Sequence, residues 1–158
     1  MTKLTHFDKH GASRMVDVSQ KPETQREARA SAVVRMAPET LSLIRNKDLA
    51  KGDALEIARL AGIMATKKTG DLIPLCHPLP INSAEVNFSF PDDSNLRIEA
   101  TVRVFGRTGV EMEALTAVSI AALTIYDTCK SVDRVMTIEQ IRLEEKSGGR
   151  GGTFRRED

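Results

Sequence analysis

The chain has 158 residues, enough for one domain with a core of its own. Its 23 Lys and Arg nearly balance 22 Asp and Glu, so bulk charge draws it neither to nucleic acid nor to a membrane surface, and any anion site must be local. There is no Trp, aromatic residues make up 4% of the chain, and Cys76 and Cys129 lack metal-type spacing; this argues against base-stacking platforms and zinc, and for reduced thiols in a cytoplasmic protein with an aliphatic core.

Residues 1 to about 25 are polar and irregular and read as a mobile arm. The β-branched run closing Arg26–Met36 predicts a first strand. Pro38 suits the first turn of a short helix through Ile44. Asp53 is placed to cap a second helix, in which Leu55, Ala58, Ala61 or Gly62, and Ala65 recur at helical spacing. A proline-rich stretch, Asp71–Pro80, follows. Ala84–Phe90 and Leu96–Phe105 each alternate apolar and polar residues around a turn at Pro91–Asn95, predicting an antiparallel hairpin with one wet face. Met112–Lys130 is small and aliphatic nearly all round, as a helix buried on much of its girth should be. Arg134–Glu144 alternates as a last strand, and Ser147–Thr153 reads as a flexible tail. This order predicts a single α+β domain of the ferredoxin-like, split βαβ kind, with a four-stranded antiparallel sheet carrying helices on one face. The other face would be covered by water or by a second copy of the chain.

Proline on both sides of His77 stiffens the backbone that carries it, which points to a site on a connecting segment. Asp127 and Lys130 share a helix face, and burial beside Leu123 and Tyr126 would couple their titrations and suit them to proton transfer. Glu111 and Glu113 sit at the other end of that helix, where carboxylates complement the positive end of its dipole. Fourteen residues separate Glu113 from Asp127, about 21 Å along an unbroken helix, too far for both to grip one reacting atom. A pocket using both ends would need two subunits, reciprocally arranged. Lys51 precedes Gly52 and a helix start, where a phosphate would find free N–H groups; Lys67, Lys68, Arg26 and Lys146 are scattered cations. Phosphate-binding glycine loops, the dinucleotide fingerprint and the zinc-protease motif are all missing, so phosphate chemistry would rest on Lys and Arg.

Three stretches, Asp71-Leu-Ile-Pro-Leu-Cys-His-Pro-Leu79, Gly109-Val-Glu-Met-Glu-Ala-Leu-Thr116 and Ala122-Leu-Thr-Ile-Tyr-Asp-Thr-Cys-Lys130, closely resemble the cyclic pyranopterin monophosphate synthase (MoaC) family of molybdenum-cofactor biosynthesis. Met15–Val18, Lys51–Asp53 and Lys146–Gly149 extend the likeness over nearly the whole chain in order. The resemblance implies a lyase that rearranges a tricyclic cyclo-dihydro-GTP intermediate into cyclic pyranopterin monophosphate and releases pyrophosphate. Carried over by motif, it puts catalytic groups at Asp127, Lys130 and Lys51, and substrate contacts at Leu75, Cys76, His77, Met112 and Glu113, to which Glu111, Lys67, Lys146 and Arg26 are added as further candidates. It implies no cofactor and no metal in the protein, a small-molecule substrate, and a homohexamer built as a trimer of dimers with the pocket between subunits. Cations would neutralise the charge that develops as pyrophosphate leaves, and a Lys–Asp pair would move the protons. The rival reading is a non-catalytic ferredoxin-like module binding a nucleotide or RNA, which would want exposed aromatics on the sheet; Phe88 and Phe90 are the candidates, but they share an alternating face with Val86 and are expected to pack in the core.

Overall fold

A computed structural model describes residues 5–49 and 52–157, which leaves Lys51 outside the described residues. In chain order the elements are β1 (Thr24–Arg35), α1 (Pro38–Asn46), α2 (Ala54–Thr66), α3 (Thr69–Leu72), β2 (Ser83–Ser89), β3 (Asn95–Gly106), α4 (Glu111–Cys129), β4 (Thr137–Ser147) and β5 (Phe154–Arg155). The fold is α+β. The antiparallel strands lie in the order β2-β3-β1-β4-β5, so the sheet has five strands where four were expected. The extra strand arises because the chain beyond Ser147 turns back and lays Phe154 and Arg155 against Lys146 and Glu145, a return no hydrophobic alternation announces.

Alternation decides which sheet face is dry. Ala28, Ala30, Ala32 and Val34 of β1 and Leu96, Ile98, Ala100, Val102 and Val104 of β3 are fully buried, and they meet across the strands in pairs such as Ala30 with Ala100 and Ala32 with Ile98. Helix α4 lies over β1, β3 and β4 on this face, with Ala114, Ala117, Ala121, Ala122 and Ile125 turned inward. The small residues on both sides let helix and sheet approach closely. α2 packs beside α4 at Gly62, where an added β-carbon would lie 3.1 Å from the Ala117 carbonyl oxygen, 3.1 Å from a Val86 methyl and 3.4 Å from the Ala121 β-carbon. Glycine is the residue that fits between the helices.

The helix ends are held as the local chemistry requires. Asp53 caps α2 by accepting from the N–H groups of Leu55 (3.1 Å) and Glu56 (3.2 Å), and its other carboxylate oxygen meets Lys47 at 2.8 Å. α1 has no cap of its own. Asp133, from the loop after α4, supplies one by accepting from the Ala37 N–H (2.9 Å) and the Thr40 hydroxyl (3.2 Å).

The second sheet face is a lattice of ion pairs. Arg29 bridges Glu99 (3.1 Å) and Glu145 (3.4 Å), Arg35 meets Glu139 (2.8 Å), and Arg103 binds Glu85 (2.8 Å) and Glu27. At its centre Glu144 occupies a bulge of β4, since Arg29 pairs with Glu145 and Ala30 with Leu143. The bulge turns Glu144 toward the polar face, where it accepts from Ser31, Arg142 (2.9 Å) and Arg97 (3.0 Å). Burial raises its pKa, but these three donors outweigh burial and hold the carboxyl at about 2.

Two stability predictions follow from this packing. Gly62→Val should cost about 1–3 kcal/mol by forcing α2 off α4, read as a lower midpoint in urea with an unchanged m-value. Because the Glu144 pKa is depressed in the folded state, its contribution is complete above its ordinary value of 4.5 and is lost as pH falls toward 2. Glu144→Gln should therefore destabilise by about 2 kcal/mol at neutral pH. Denaturation at a series of pH values should show the gap to wild type closing between pH 4.5 and about 2.

Candidate active site

The stretch between α3 and β2 is extended, as its prolines demand, and it forms the floor of a groove. The N-terminal arm crosses this floor. His77 Nε2 lies 2.7 Å from the Val16 carbonyl oxygen. A carbonyl only accepts, so Nε2 carries the proton and donates, which ties the arm to the floor.

Three hollows run along this groove and abut through shared residues. The middle one, about 250 Å³, is walled by Val16, Val18, Lys21, Leu75, Cys76 and His77, with Gly109 at its edge. Leu75 and Cys76, together with His6 of the arm, continue into a hollow of about 310 Å³ closed by Ile73, Pro74 and Met112. Lys21 opens in the other direction into a hollow of about 290 Å³ lined by Thr24, Arg26 and Gly149–Gly151. One end is therefore apolar and the other cationic.

The first turn of α4 supplies carboxylates beside the apolar end. Glu111 curls back over Gly109, where any side chain would collide with its carboxylate. Glu113 is only 2% exposed, and its Oε2 has no hydrogen-bond partner among the described residues. Burial, helped by the neighbouring Glu111 charge and opposed by a hydrogen bond from its own backbone N–H, pushes the Glu113 carboxyl up to about 7. Burial, then the charges of Glu113 and Glu111, also push the Cys76 thiol up, so Cys76 is a neutral wall residue rather than a nucleophile.

Leu75, Cys76, His77 and Met112 thus line one groove, with Glu111 and Glu113 on the helix turn beside them and Arg26 at its cationic end. Lys146 is near that end, donating from Nζ to the Gly152 carbonyl oxygen at 2.9 Å. Lys67 lies apart, in a hollow of about 390 Å³ that touches the groove only through Leu79. Asp127 and Lys130 are not brought to the groove of the same chain. They pair at 2.6 Å near the far end of α4, with side chains 69% and 52% exposed, and the hydrogen bond and charge of Asp127 raise the Lys130 pKa. The expected burial of this pair by Leu123 does not occur within one chain. Leu123 is itself 54% exposed, because α4 turns Ala121, Ala122, Ile125 and Cys129 inward and its Leu123–Asp127–Lys130 side outward.

Sequence reasoning passed over Lys21 and His6. The Lys21-Pro22 step just before β1 was the available signal for Lys21, since proline there fixes the approach of the lysine to the strand; for His6 nothing in the sequence marks it out. Phe88 and Phe90 do not serve as stacking platforms. Both pack partly buried against the core, and Arg59 and Arg45 lie over their rings at 5.3 and 4.8 Å. Among the described residues, no helix is long and apolar enough to cross a membrane and no cluster of His, Cys, Asp and Glu could hold a metal ion.

The model of the MoaC family matches residues 15–149. A cyclic pyranopterin monophosphate synthase of Thermomicrobium roseum is 59% identical over 159 aligned residues, covering 100% of this chain and 96% of its own length. Cyclic pyranopterin monophosphate synthase 1 of Mycobacterium tuberculosis H37Rv is 60% identical, covering 97% and 90% respectively. The Desulfitobacterium hafniense synthase is 57% identical, covering 99% and 96%. With residues 15–149 inside the family's pattern and a relative 59% identical over the whole chain, the chain belongs to the MoaC family.

Proposed function

We propose that the groove is one half of the active site of a cyclic pyranopterin monophosphate synthase, completed by a second copy of the chain. The chain is an enzyme of molybdenum-cofactor biosynthesis, a lyase by reaction class, as its family and its relatives' names indicate. Its substrate is the cyclo-dihydro-GTP intermediate, which it converts to cyclic pyranopterin monophosphate with release of pyrophosphate. The observation that carries the reading is the polarity of the groove, with apolar walls and a buried carboxyl at one end and cations at the other. A flat heterocycle carrying a triphosphate has the same polarity.

Leu75 and Met112 flank the ring system. The orphaned carboxyl of Glu113 recognises its polar edge and, with a pKa of about 7, gives or takes a proton there; Cys76, His77 and Glu111 border it. At the other end Lys21, Arg26 and Lys146 neutralise the phosphates. Cyclisation joins a substrate hydroxyl oxygen to the α-phosphorus and breaks the bond to the β-phosphate, so the leaving pyrophosphate takes the electron pair and the hydroxyl proton needs an acceptor. The Asp127–Lys130 pair and Lys51 handle that proton and charge. The raised Lys130 pKa keeps its ammonium charged, which suits it to the phosphate, and leaves Asp127 as the base.

About 21 Å of helix separates Asp127 from Glu113, so the Asp127–Lys130 pair reaches the groove from a neighbouring subunit. The exposed Ile57, Leu60 and Met64 of α2 and Leu123 of α4 offer apolar surface for that contact, and a hexamer of three dimers accommodates it. Lys67 then meets the phosphates across Leu79. The antiparallel order β2-β3-β1-β4 supports a ferredoxin-like core to which β5 is an addition. Free Cys76 and Cys129 support a cytoplasmic enzyme.

The test is incubation of the purified protein with the cyclo-dihydro-GTP intermediate, following pyrophosphate and the cyclic pterin. Wild type turns over, and Asp127→Asn lowers kcat by about 10² or more with assembly intact; full activity in that variant removes Asp127 from the chemistry. For Glu113 the linkage has the opposite sign to Glu144. Its folded pKa is raised, so its contribution to stability is complete below 4.5 and is lost as pH rises through about 7. Glu113→Gln should therefore be more stable than wild type above pH 7, by about 2 kcal/mol, while losing turnover. Parallel melting and kinetic profiles between pH 5 and 9 measure both effects.

A further inference from the structure

The chain leaves β4 through a strap of glycines, Gly148–Gly152, that arches over the start of β1. Gly148 and Gly149 have φ of +95° and +70°, and a side chain at Gly148 would strike the Gln25 carbonyl oxygen while one at Gly149 would strike the Arg26 guanidinium. Both ends of the strap are anchored. β4 holds one, and at the other the Arg156 N–H and Nε donate to the carbonyls of Glu144 (2.8 Å) and Leu143 (2.9 Å) while Arg155 meets Glu145 at 3.0 Å. Between the anchors, a turn from the Gly152 N–H to the Gly149 carbonyl (3.2 Å) and the Lys146–Gly152 bond (2.9 Å) hold the strap.

The strap roofs the hollow of about 290 Å³ at the cationic end of the groove, where Lys21, Arg26 and Arg150 are the charged lining residues. Among the described residues, no carboxylate lines it. Arg26 spends Nε and Nη2 on the carbonyls of Gly106 and Arg107, both at 3.3 Å, so it is fixed in place. Lys21 and Arg150 have no side-chain partner among the described residues. One fixed cation on β1, one on the arm and one on a glycine-hinged roof converge on a space that no carboxylate of the described residues lines.

We propose that the strap closes over the oligophosphate of the substrate, with Arg150 the cation it delivers and Lys146 the latch that exchanges the Gly152 carbonyl for a phosphate oxygen. This rests on the reading above that the substrate carries a triphosphate. Nothing covalent is involved. Closure desolvates the anion between Lys21, Arg26 and Arg150, which strengthens each charge-assisted bond, and the glycines let the roof move without strain. A guanidinium on the roof grips two oxygens at once, which an ammonium at the same position does not.

Inorganic triphosphate titrated calorimetrically into the full-length protein tests this, with amide exchange followed at residues 148–152. The expected result is that triphosphate binds wild type and slows exchange across the strap, that Arg150→Ala weakens binding about tenfold, and that Arg150→Lys recovers part of the loss. Failure of wild type to bind triphosphate, exchange unchanged at 148–152, or wild-type affinity in Arg150→Ala each overturns the proposal. The catalytic reading fails separately. Triphosphate binding with strap protection, but no pyrophosphate from the cyclo-dihydro-GTP intermediate, leaves the strap standing and removes the synthase activity; turnover with Arg150→Ala unchanged in both KM and triphosphate affinity does the reverse.

Discussion

Helix α4 rests on the sheet through alanines, Ala114, Ala117 and Ala121 above Ala28, Ala30 and Ala32, and the short side chains bring the helix backbone close to β1. Close approach has two effects. It excludes water from a long strip of peptide groups, and it leaves α2 only the notch at Gly62 in which to pack. A 19-residue helix held this tightly is a rigid spacer, so its first turn and its last turn stay about 28 Å apart end to end whatever binds. Glu113 at one end and Asp127 with Lys130 at the other are consequently fixed relative to the sheet and to each other.

Two buried glutamates show how the same residue serves opposite purposes. Glu144 is surrounded by Ser31, Arg97 and Arg142 and held at about 2, so it is always charged and always paired, the centre of a lattice that lets the second sheet face be polar without leaving a lone charge. Glu113 has an oxygen with no partner among the described residues and a carboxyl pushed to about 7. Such a group costs stability in the empty protein. It stands beside the groove that Leu75, Cys76, His77 and Met112 line, where a bound ligand would supply the missing partner under the function proposed above.

The groove itself is made of irregular chain: the arm, the proline-braced floor and the glycine strap. The arm is tied to the floor by the His77–Val16 bond, and the strap is held between its anchors on β4 by the Lys146–Gly152 bond. Segments held in this way adjust at little cost, while the elements behind them keep the reacting groups in register.

Much of this was legible in the amino-acid sequence. A β-branched run marked β1, alternation marked β2 and β3 and their one wet face, helical spacing marked α2, an all-round small and aliphatic run marked α4, and Asp53 announced its cap, because these features depend on residues close in the chain. The family resemblance implied substrate contacts at Leu75, Cys76 and His77 on one segment and at Met112 and Glu113 on another, and the fold sets Leu75, Cys76, His77 and Met112 along one groove. What only the tertiary structure decided involves partners far apart in sequence. The bulge that turns Glu144 to Ser31, the cap that Asp133 lends to α1, the fifth strand, the arm laid on His77 and the outward face of Asp127 and Lys130 all depend on contacts across the fold. Local propensity sets where a helix or strand forms; which way its polar groups point is settled by where their distant partners come to lie.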